Sequence, residues 1–466
     1  MQIPILNGIY ADAAPDFRTS YPKNLVPVPK QTGISAGYLR PADGVVEAGN
    51  GPGVGRGAIN WNGVLYRVMG TKLVSIAENN TVTEIGDVGG TDRVTFDYGF
   101  TYLAIASNNN LFLYDGTTLT QVTDPDLGVV LDVVWVDGYY MTTDGEFLVI
   151  TDLADPFAVN PLKYGSSEAD PDPIEALLKL RNEVYALNRY TIEVFDNVGT
   201  TGFPFQRIAG AQIQKGAVGT HACCVFMDNI AFMGGGRNEA PSIFMGANGS
   251  TQKIATREIE QILATYTETQ LASAFLEERI DKAHQFLITH LPNHTLVFDG
   301  AATQAMGQPV WFTLSSTLTG DSQWKAQSVI WVYDKWQVYN PTNTQFGYLD
   351  DSISSHWGAD IGWEFGTQIT YNESNGAIFH QLELVALTGH VAADTSPTIW
   401  AQHSTDGETW SVEKPVRAGT LGQRAKRLVW LQQGYMNNWR IQRFRGTSEA
   451  HISISRLEAR LEPLAF

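Results

Sequence analysis

The fold is indicated by a repeated hairpin, one example of which reads NEVYALNRYTIEVF over residues 182–195. Apolar and polar residues roughly alternate on both sides of Asn188-Arg189-Tyr190, as a half-buried antiparallel strand pair requires. A short β-run, a tight polar turn and a second β-run recur seven times between about residues 61 and 349. The seven turns are Trp61-Asn62-Gly63, Tyr98-Gly99, Asp137-Gly138, Arg181-Asn182, Asp228-Asn229, Asp281-Lys282 and Tyr333-Asp334.

The spacing of these turns predicts a β-propeller. Steps between successive turns lie between 37 residues, from Asn62 to Gly99, and 53 residues, from Asn229 to Lys282. This is the period of a four-stranded blade rather than of a helical repeat. The repeats carry no Trp-Asp or double-Gly signature, so we predict an all-β fold with a degenerate β-propeller of about six to seven blades.

Three regions depart from the repeat and define the predicted domains. Residues 1–56 are rich in Pro and Gly after position 11 and are predicted to form an extended N-terminal arm. Residues 57–355 form the propeller-like domain, with one inserted amphipathic helix near residues 256–278 behind Thr256. Long alternating strands after about Trp357 predict a C-terminal β-sandwich-like domain over residues 356–466.

Charge is distributed unevenly along this acidic chain. Its formal net charge is −18 over 466 residues. The segment 420–460 nevertheless holds eight basic residues against Glu449 and Glu458, a local charge of +6 that leaves −24 for the remainder. A strongly acidic chain lacks the phosphate-binding Lys and Arg surface of a nucleic-acid-binding protein.

The first residues and the two cysteines predict a protein that stays in the cytoplasm. The Met1-Gln2-Ile3-Pro4 start has no basic or apolar leader pattern, and no apolar run has the length of a membrane helix. We therefore expect a protein made and kept soluble in the cytoplasm, without membrane insertion of its own. Cys223 and Cys224 are adjacent, a spacing that strains a mutual disulfide, so we expect reduced core residues.

Several short motifs partly resemble patterns for catalysis or metal binding. Asp406-Gly407 resembles a sialidase turn but occurs once, and His290 and His294 have a ligand spacing only if helical. The acidic stretch 168–173 lacks the Gly and terminal Glu of a calcium loop. Gly234-Gly235-Gly236-Arg237 is interpreted as a turn because no helix follows it. A pair of carboxylates for glycoside hydrolysis stays open, since 49 acidic residues always offer some pair. We expect no enzyme, metal site or cofactor.

A collinear series of residues resembles one known family. It contains Asn24-Leu25 through Pro29-Lys30, Gly37-Tyr38-Leu39-Arg40, Gly44, Arg56-Gly57, Tyr66-Arg67-Val68, Gly70, Lys72-Leu73, Gln214-Lys215-Gly216, Gly219-Thr220, Ala240-Pro241-Ser242, Ile254-Ala255-Thr256, Ile259-Glu260, Tyr266-Thr267, His290-Leu291-Pro292, His294, Leu296-Val297 and Thr405-Asp406-Gly407. This series is similar to the packaged-DNA stabilisation proteins of short-tailed bacteriophages, also called tail hub or nozzle proteins.

The resemblance implies a structural virion protein assembled in the host bacterial cytoplasm. It implies a homo-hexamer below the portal and its adaptor ring that closes the DNA channel after packaging. The hub would carry tailspikes or tail fibres and hold a tail needle or plug, while phage DNA passes without specific binding. The alternative is a carbohydrate-binding or depolymerase propeller protein of a phage tail, favoured by 51 aromatic residues that could stack on sugars.

The basic C-terminal segment supplies the candidate partner-binding residues. Strand alternation places Arg443 and Arg445 on one face and Arg440 on the other, so at least one face is charged. One interpretation is a solvated sandwich surface. The other is that Arg440, Arg443 and Arg445 form a partner-binding surface, with Arg443 and Arg445 docking on acidic surface of a neighbouring subunit or of the adaptor ring.

Overall fold

The computed structural model of the chain describes residues 1–11, 16–29, 37–373 and 375–464. Lys30 of the family-like series lies outside the described residues. Six short strands precede the repeats: β1 (Gln2–Ile3), β2 (Gly8–Ala11), β3 (Phe17–Ser20), β4 (Leu25–Pro29), β5 (Gly37–Pro41) and β6 (Gly44–Asn50).

The first four repeats form four-stranded antiparallel sheets. Blade 1 contains β7 (Gly55–Trp61), β8 (Val64–Met69), β9 (Lys72–Ile76) and β10 (Val82–Asp87). Blade 2 contains β11 (Thr95–Tyr98), β12 (Leu103–Ser107), β13 (Asn110–Tyr114) and β14 (Leu119–Gln121). Blade 3 contains β15 (Asp132–Val136), β16 (Tyr139–Thr143), β17 (Phe147–Thr151) and β18 (Val159–Ser166). Blade 4 contains β19 (Ile174–Leu180), β20 (Glu183–Asn188), β21 (Ile192–Asn197) and β22 (Phe205–Arg207).

Three further sheets complete a seven-bladed ring. Blade 5 contains β23 (Gly216–Ala217), β24 (Cys223–Phe226), β25 (Asn229–Gly235), β26 (Ser242–Ala247) and β27 (Ser250–Lys253). Blade 6 contains β28 (Phe275–Asp281), β29 (His284–His290), β30 (Thr295–Asp299) and β31 (Trp311–Leu314). Blade 7 contains β32 (Gln327–Val332), β33 (Lys335–Tyr339), β34 (Gln345–Asp350) and, as its outer strand, β6. The inner strands β7, β11, β15, β19, β24, β28 and β32 contact one another in this order, and β32 contacts β7, which closes the ring.

The seven turns quoted from the sequence are the first hairpins of the seven blades. Asn62 and Gly63 have positive φ values of 53° and 77°, and Asp137 and Gly138 have 49° and 94°. These are the backbone conformations that Asn, Asp and Gly tolerate in two-residue hairpins. The prediction of a degenerate propeller of about six to seven blades is therefore confirmed, and the structure has seven. The fifth and sixth turns are each displaced by one residue, because Met227 and Asp228 occupy the fifth and Lys282 and Ala283 occupy the sixth.

Carboxylates on inner strands link neighbouring blades. The Asp97 carboxylate accepts a hydrogen bond from the Trp135 backbone N–H at 2.5 Å. The Asp132 carboxylate accepts one from the Leu177 N–H at 2.7 Å, and Glu277 accepts one from the Val329 N–H at 2.7 Å. Each bond joins one blade to the next, so polar groups supplement the apolar contacts between blades.

The C-terminal region forms two packed sheets, as expected of a β-sandwich. Its strands are β35 (Gly362–Gly366), β36 (Thr370–Tyr371), β37 (Ala377–Leu387), β38 (Thr398–Ser404), β39 (Lys414–Arg417), β40 (Leu428–Leu431), β41 (Tyr435–Met436), β42 (Trp439–Thr447) and β43 (Ser453–Pro463). One sheet has the order β4-β5-β43-β37-β40, with β1 and β41 at its sides, and the other has the order β35-β42-β38-β39, with β36 beside β42. Phe365, Phe379 and Phe444 lie in the shared core.

The N-terminal region, expected to be an extended arm, consists of short strands, several of which pair with distant parts of the chain. Its strands belong to three sheets, since β1, β4 and β5 join the sandwich, β6 joins blade 7, and β2 and β3 pair with each other. Val46 faces Tyr348 in the register of β6 and β34, about 300 residues apart in sequence. The sequence did not predict these pairings, because the strands are short and interrupted by Pro and Gly and their partners are distant in sequence.

The helix predicted near residues 256–278 is divided. The structure has α1 (Arg257–Leu263) and α2 (Glu268–Ala272), and Phe275 already begins β28. Thr267 starts α2 with a capping box to Gln270, which separates the two helices. A further helix, α3 (Gly300–Met306), follows β30 and begins where the Asp299 carboxylate caps the Ala302 N–H at 3.1 Å.

The turn predicted for residues 234–237 is shorter in the structure. Gly234 and Gly235 end strand β25 and do not belong to the turn that was predicted for residues 234–237. A Cβ at Gly234 would lie 1.8 Å from the Gly216 carbonyl oxygen, so the close approach of β23 requires glycine there. The adjacent turn begins only at Gly236.

Candidate functional site

Arg440 is a core residue of the sandwich. Its side chain is fully buried, its guanidinium lies 4.3 Å from the centre of the Phe379 ring, and it donates to the Gln433 carbonyl at 2.5 Å. Burial lowers the pKa of the Arg440 guanidinium to about 9. The subunit surface therefore does not present this charge to a partner.

Arg443 and Arg445 share one face of β42, as strand alternation predicted. The Arg445 guanidinium forms two bonds of 2.6 Å to the Glu413 carboxylate and lies 4.5 Å from the Trp400 ring centre. Arg443 lies 3.6 Å from the Glu364 carboxylate and 4.4 Å from the Trp410 ring centre. About a third of each arginine side chain is exposed. Both charges are thus already paired within the subunit.

Glu364, the ion-pair partner of Arg443, lies at the junction between the propeller and the sandwich. Here the backbone of Lys23 and Asn24 passes between β31 of blade 6 and β35 of the sandwich. The Lys23 N–H donates to the Glu364 carbonyl at 2.8 Å, and the Asn24 N–H donates to the Thr313 carbonyl at 2.8 Å. One short segment therefore bonds to both domains.

The Asn24 side chain strengthens this junction. It is buried, and its amide nitrogen donates to the Ser315 carbonyl at 2.9 Å and to the Gly362 carbonyl at 2.7 Å. Its oxygen accepts from the Ser315 N–H at 2.9 Å. Asn24 also has a φ of 53°, a conformation that Asn adopts more readily than most residues. No local pattern in the sequence shows these distant partners.

A cleft of about 690 Å³ opens beside this junction. The hairpin β2–β3 forms one wall, α1 forms another and β35 with the Trp410 loop forms the third. The Thr19 N–H donates to the Glu258 carboxylate at 3.0 Å, and the Ile9 N–H donates to the Thr367 carbonyl at 3.0 Å, so the hairpin contacts both domains. Burial lowers the pKa of the Lys23 ammonium on the floor, and Asp321 and Glu364 oppose that shift.

The histidine, acidic and sialidase-like motifs of the sequence have structural roles. The buried His290 ring contacts the Glu277 carboxylate at 2.7 Å, and the Tyr266 hydroxyl contacts His294. The Asp172 carboxylate accepts from the Tyr190 N–H at 2.6 Å, and Asp406 accepts from the Thr409 N–H at 2.7 Å in a turn. Among the described residues, no group of three or more His, Cys, Asp and Glu side chains is arranged to hold a metal ion.

Two other sequence-based expectations concern the cysteines and the membrane. Cys223 and Cys224 both carry free thiols, as expected for reduced residues. None of the described helices is long and apolar enough to cross a membrane.

The comparisons with known proteins agree with this two-domain architecture. A family model described as "Bacteriophage P22 Gp10, beta-propeller" matches residues 1–354. A second, "Bacteriophage P22 Gp10, beta-sandwich", matches residues 362–462. The chain belongs to the P22 Gp10 family. The similarity seen in the sequence to the tail hub proteins of short-tailed phages is thereby confirmed.

A curated relative supports membership of the P22 Gp10 family over the full length. The tail hub protein gp10 of Salmonella phage P22 is 29% identical over 491 residues, which cover 99% of each chain. Solved structures have much lower sequence identity to this chain. The Pan2 WD40 domain of Neurospora crassa has a TM-score of 0.42 at 10% identity and covers 66% of this chain and 94% of its own. PorZ of Porphyromonas gingivalis has a TM-score of 0.40 at 12% identity, with coverages of 65% and 37%.

Proposed function

We propose that this chain is a structural virion protein, the tail hub or nozzle subunit of a short-tailed phage. The observation that carries the proposal is the match to a phage tail hub protein over 99% of both chains. Six copies would form a hollow ring below the portal and its adaptor ring. The ring would close the DNA channel after packaging and thereby retain the genome.

The surface of the subunit supports assembly with other copies. Propellers leave only short strand edges and present loops on both faces, which suits ring formation. Large apolar side chains such as Phe100, Leu162 and Val412 are more than four-fifths exposed. Exposed apolar groups of this size are costly in a monomer and are expected to be covered in the virion.

DNA would be retained by obstruction rather than by binding. The net charge of −18 does not favour contact with phosphates. We therefore expect the free protein to bind duplex DNA weakly at physiological salt, as a filter-binding titration would measure. Tight binding that weakens steeply with added salt would contradict this part of the proposal.

The remaining partners follow from the hub role. They are the portal adaptor ring, a tailspike or tail fibre, and a tail needle or plug. The subunit would be made in the host bacterial cytoplasm, become part of the short tail, and act without catalysis or a cofactor. The exposed parts of Arg443 and Arg445 could still contribute to docking, although their intramolecular ion pairs compete with partner contacts.

The second candidate function is carbohydrate binding or depolymerisation. It is favoured by the junction cleft, where Tyr10 and Trp410 lie near the carboxylates of Glu258 and Glu364. Aromatic rings and carboxylates are the groups that bind and hydrolyse sugars.

Negative-stain microscopy of the purified chain, alone and with the adaptor, separates the two functions. Six-fold rings support the hub. A monomer or trimer that degrades host polysaccharide would support the alternative, and a ring symmetry other than six would contradict the hexamer.

A further inference from the structure

One stretch of the propeller is both acidic and unusually apolar at its surface. Residues 94–162, which form most of blades 2 and 3, contain ten carboxylates and no Lys, Arg or His. The carboxylates belong to Asp97, Asp115, Asp124, Asp126, Asp132, Asp137, Asp144, Glu146, Asp152 and Asp155. Asp132 is buried, Lys163 pairs with Asp152 at 3.2 Å, and the Lys179 ammonium lies 4.6 Å from the Trp135 ring centre. The exposed carboxylates outnumber these two cations, and an excess of negative charge of this kind attracts a cationic partner.

The exposed apolar side chains of this stretch include a cluster on one propeller face. Phe100, at the first hairpin turn of blade 2, is 94% exposed and packs edge-on against Trp135 at 5.3 Å between ring centres. Leu153 is largely exposed and lies against Gly138 of the neighbouring turn. Asp137 and Asp155, both exposed, flank the cluster. We call Phe100, Trp135, Leu153, Asp137 and Asp155 the acidic aromatic face.

A surface of opposite charge occurs on the sandwich. Most arginines of the basic C-terminal segment are paired internally, as in Arg427 with Glu383 and Arg456 with Glu458. The described carboxylates form no ion pair with Arg424 and Lys426. Both lie in residues 420–427, every one of which is exposed.

Further cationic and apolar groups adjoin this loop. The side chain of Lys426 lies beside Gly419, two residues after the exposed Arg417. Leu421 and Leu387 add exposed apolar groups, and the Gly422 N–H donates to the Gly389 carbonyl at 3.1 Å, which holds the loop against the end of β37. We call Arg417, Leu421, Arg424 and Lys426 the basic loop.

The sandwich, which carries the basic loop, is attached to the propeller ring on the side away from the acidic aromatic face. The sandwich is attached to blade 6, because the segment at Lys23 bonds to β31. In a ring of seven blades, the position opposite blade 6 falls between blades 2 and 3. A contact between two different ends of identical subunits is heterologous, and it generates a ring when the rotation closes.

We propose that the basic loop of one copy docks on the acidic aromatic face of the next copy. The apolar groups of Leu421 and Phe100 become buried, and the opposite charges orient the approach and fix the register. This inference rests on the proposed ring-forming function and names the surfaces that build the ring.

The test measures ring formation by full-length protein with the adaptor, using mass photometry and negative-stain microscopy. Arg424→Glu combined with Lys426→Glu is expected to raise the protein concentration needed for half-assembly by about tenfold or more. Phe100→Ser is also expected to raise the protein concentration needed for half-assembly. Ile280→Ser is the matched control, because Ile280 is also exposed but lies in blade 6.

A charge exchange makes the test specific. Adding Asp137→Lys and Asp155→Lys to the loop variant should restore assembly, whereas either reversal alone should weaken it. If wild-type protein forms no six-fold ring, the proposed function fails. If wild-type rings form and the Phe100 and loop variants assemble at the same concentration, this inference alone is overturned. Normal rings combined with lost fibre or spike attachment would also overturn it.

Discussion

Arg445 and Glu413 meet as a two-pronged ion pair, with both nitrogen-to-oxygen distances at 2.6 Å. The pair joins β42 to the segment that precedes β39, and the Trp400 ring covers the guanidinium. The hydrogen bonds from the Arg445 side chain stabilise the ionised Glu413 carboxylate and lower its pKa. A parallel arrangement of this kind is the strongest geometry for an arginine and a carboxylate.

Arg445→Glu should therefore lower the stability of the subunit, by about 1 kcal/mol because the pair is partly exposed. Urea unfolding followed by intrinsic fluorescence measures the change. Exchange of the pair, with Arg445→Glu and Glu413→Arg together, should recover most of the loss. Equal stability of the single variant and the wild type would show that the pair is energetically neutral.

Asn24→Ala should loosen the junction between the domains. The substitution leaves two buried carbonyls and the Ser315 N–H without their partner, at a cost of about 2–3 kcal/mol. We expect earlier urea unfolding and faster proteolysis between the propeller and the sandwich.

Asn62→Ala is the control for the backbone of Asn24, because Asn62 has the same φ of 53° but an exposed side chain. The loss of stability in Asn62→Ala should be limited to the cost of backbone strain, about 1 kcal/mol. Equal losses in the two variants would show that the Asn24 hydrogen bonds add nothing.

Asp132 should make the stability of the propeller depend on pH. Burial raises its pKa from 3.8 to about 7, although the Leu177 N–H favours the ionised form. The folded protein then binds a proton more tightly than the unfolded chain between about pH 4 and pH 7. Stability contributed by this group is present below that window and is lost as the pH rises through it.

The measurement compares the wild type with Asp132→Asn, which keeps an oxygen for the Leu177 N–H. Relative to the variant, the wild type should become less stable as the pH is raised from 4.5 to 7.5. A difference in unfolding free energy that stays constant over this range would contradict the raised pKa.

Val45→Asp should open blade 7 at its outer strand. Val45 is buried opposite Leu349, so an unpaired carboxylate there should cost about 3 kcal/mol. Hydrogen exchange should show lost protection in β34. Val46→Asp is the control, since the next side chain points to the other face and is only half-buried; an equal effect there would argue against a specific role of the outer strand.

The sequence predicted what short-range chemistry determines. Positive φ at Asn62 and Asp137 is encoded by the residues themselves, so the hairpins could be found from the turns and the blades counted as about six to seven. The partners of Val46 and Asn24 could not, because β6 and the junction depend on contacts about 300 residues away. Arg440 was assigned to a surface because alternation indicates opposite faces but does not show which face is covered.

The pairing of β6 with β34 also has a consequence for biosynthesis. Residues 44–50 leave the ribosome long before residues 345–350, so blade 7 cannot be completed until the propeller is almost fully translated. Pairing over such a sequence distance is entropically demanding and slow. The Met1 ammonium, which donates to the Ala459 carbonyl at 2.9 Å, must wait even longer. A nascent or truncated chain therefore exposes unpaired strand edges until β6 has paired with β34 and β1 has paired with β43.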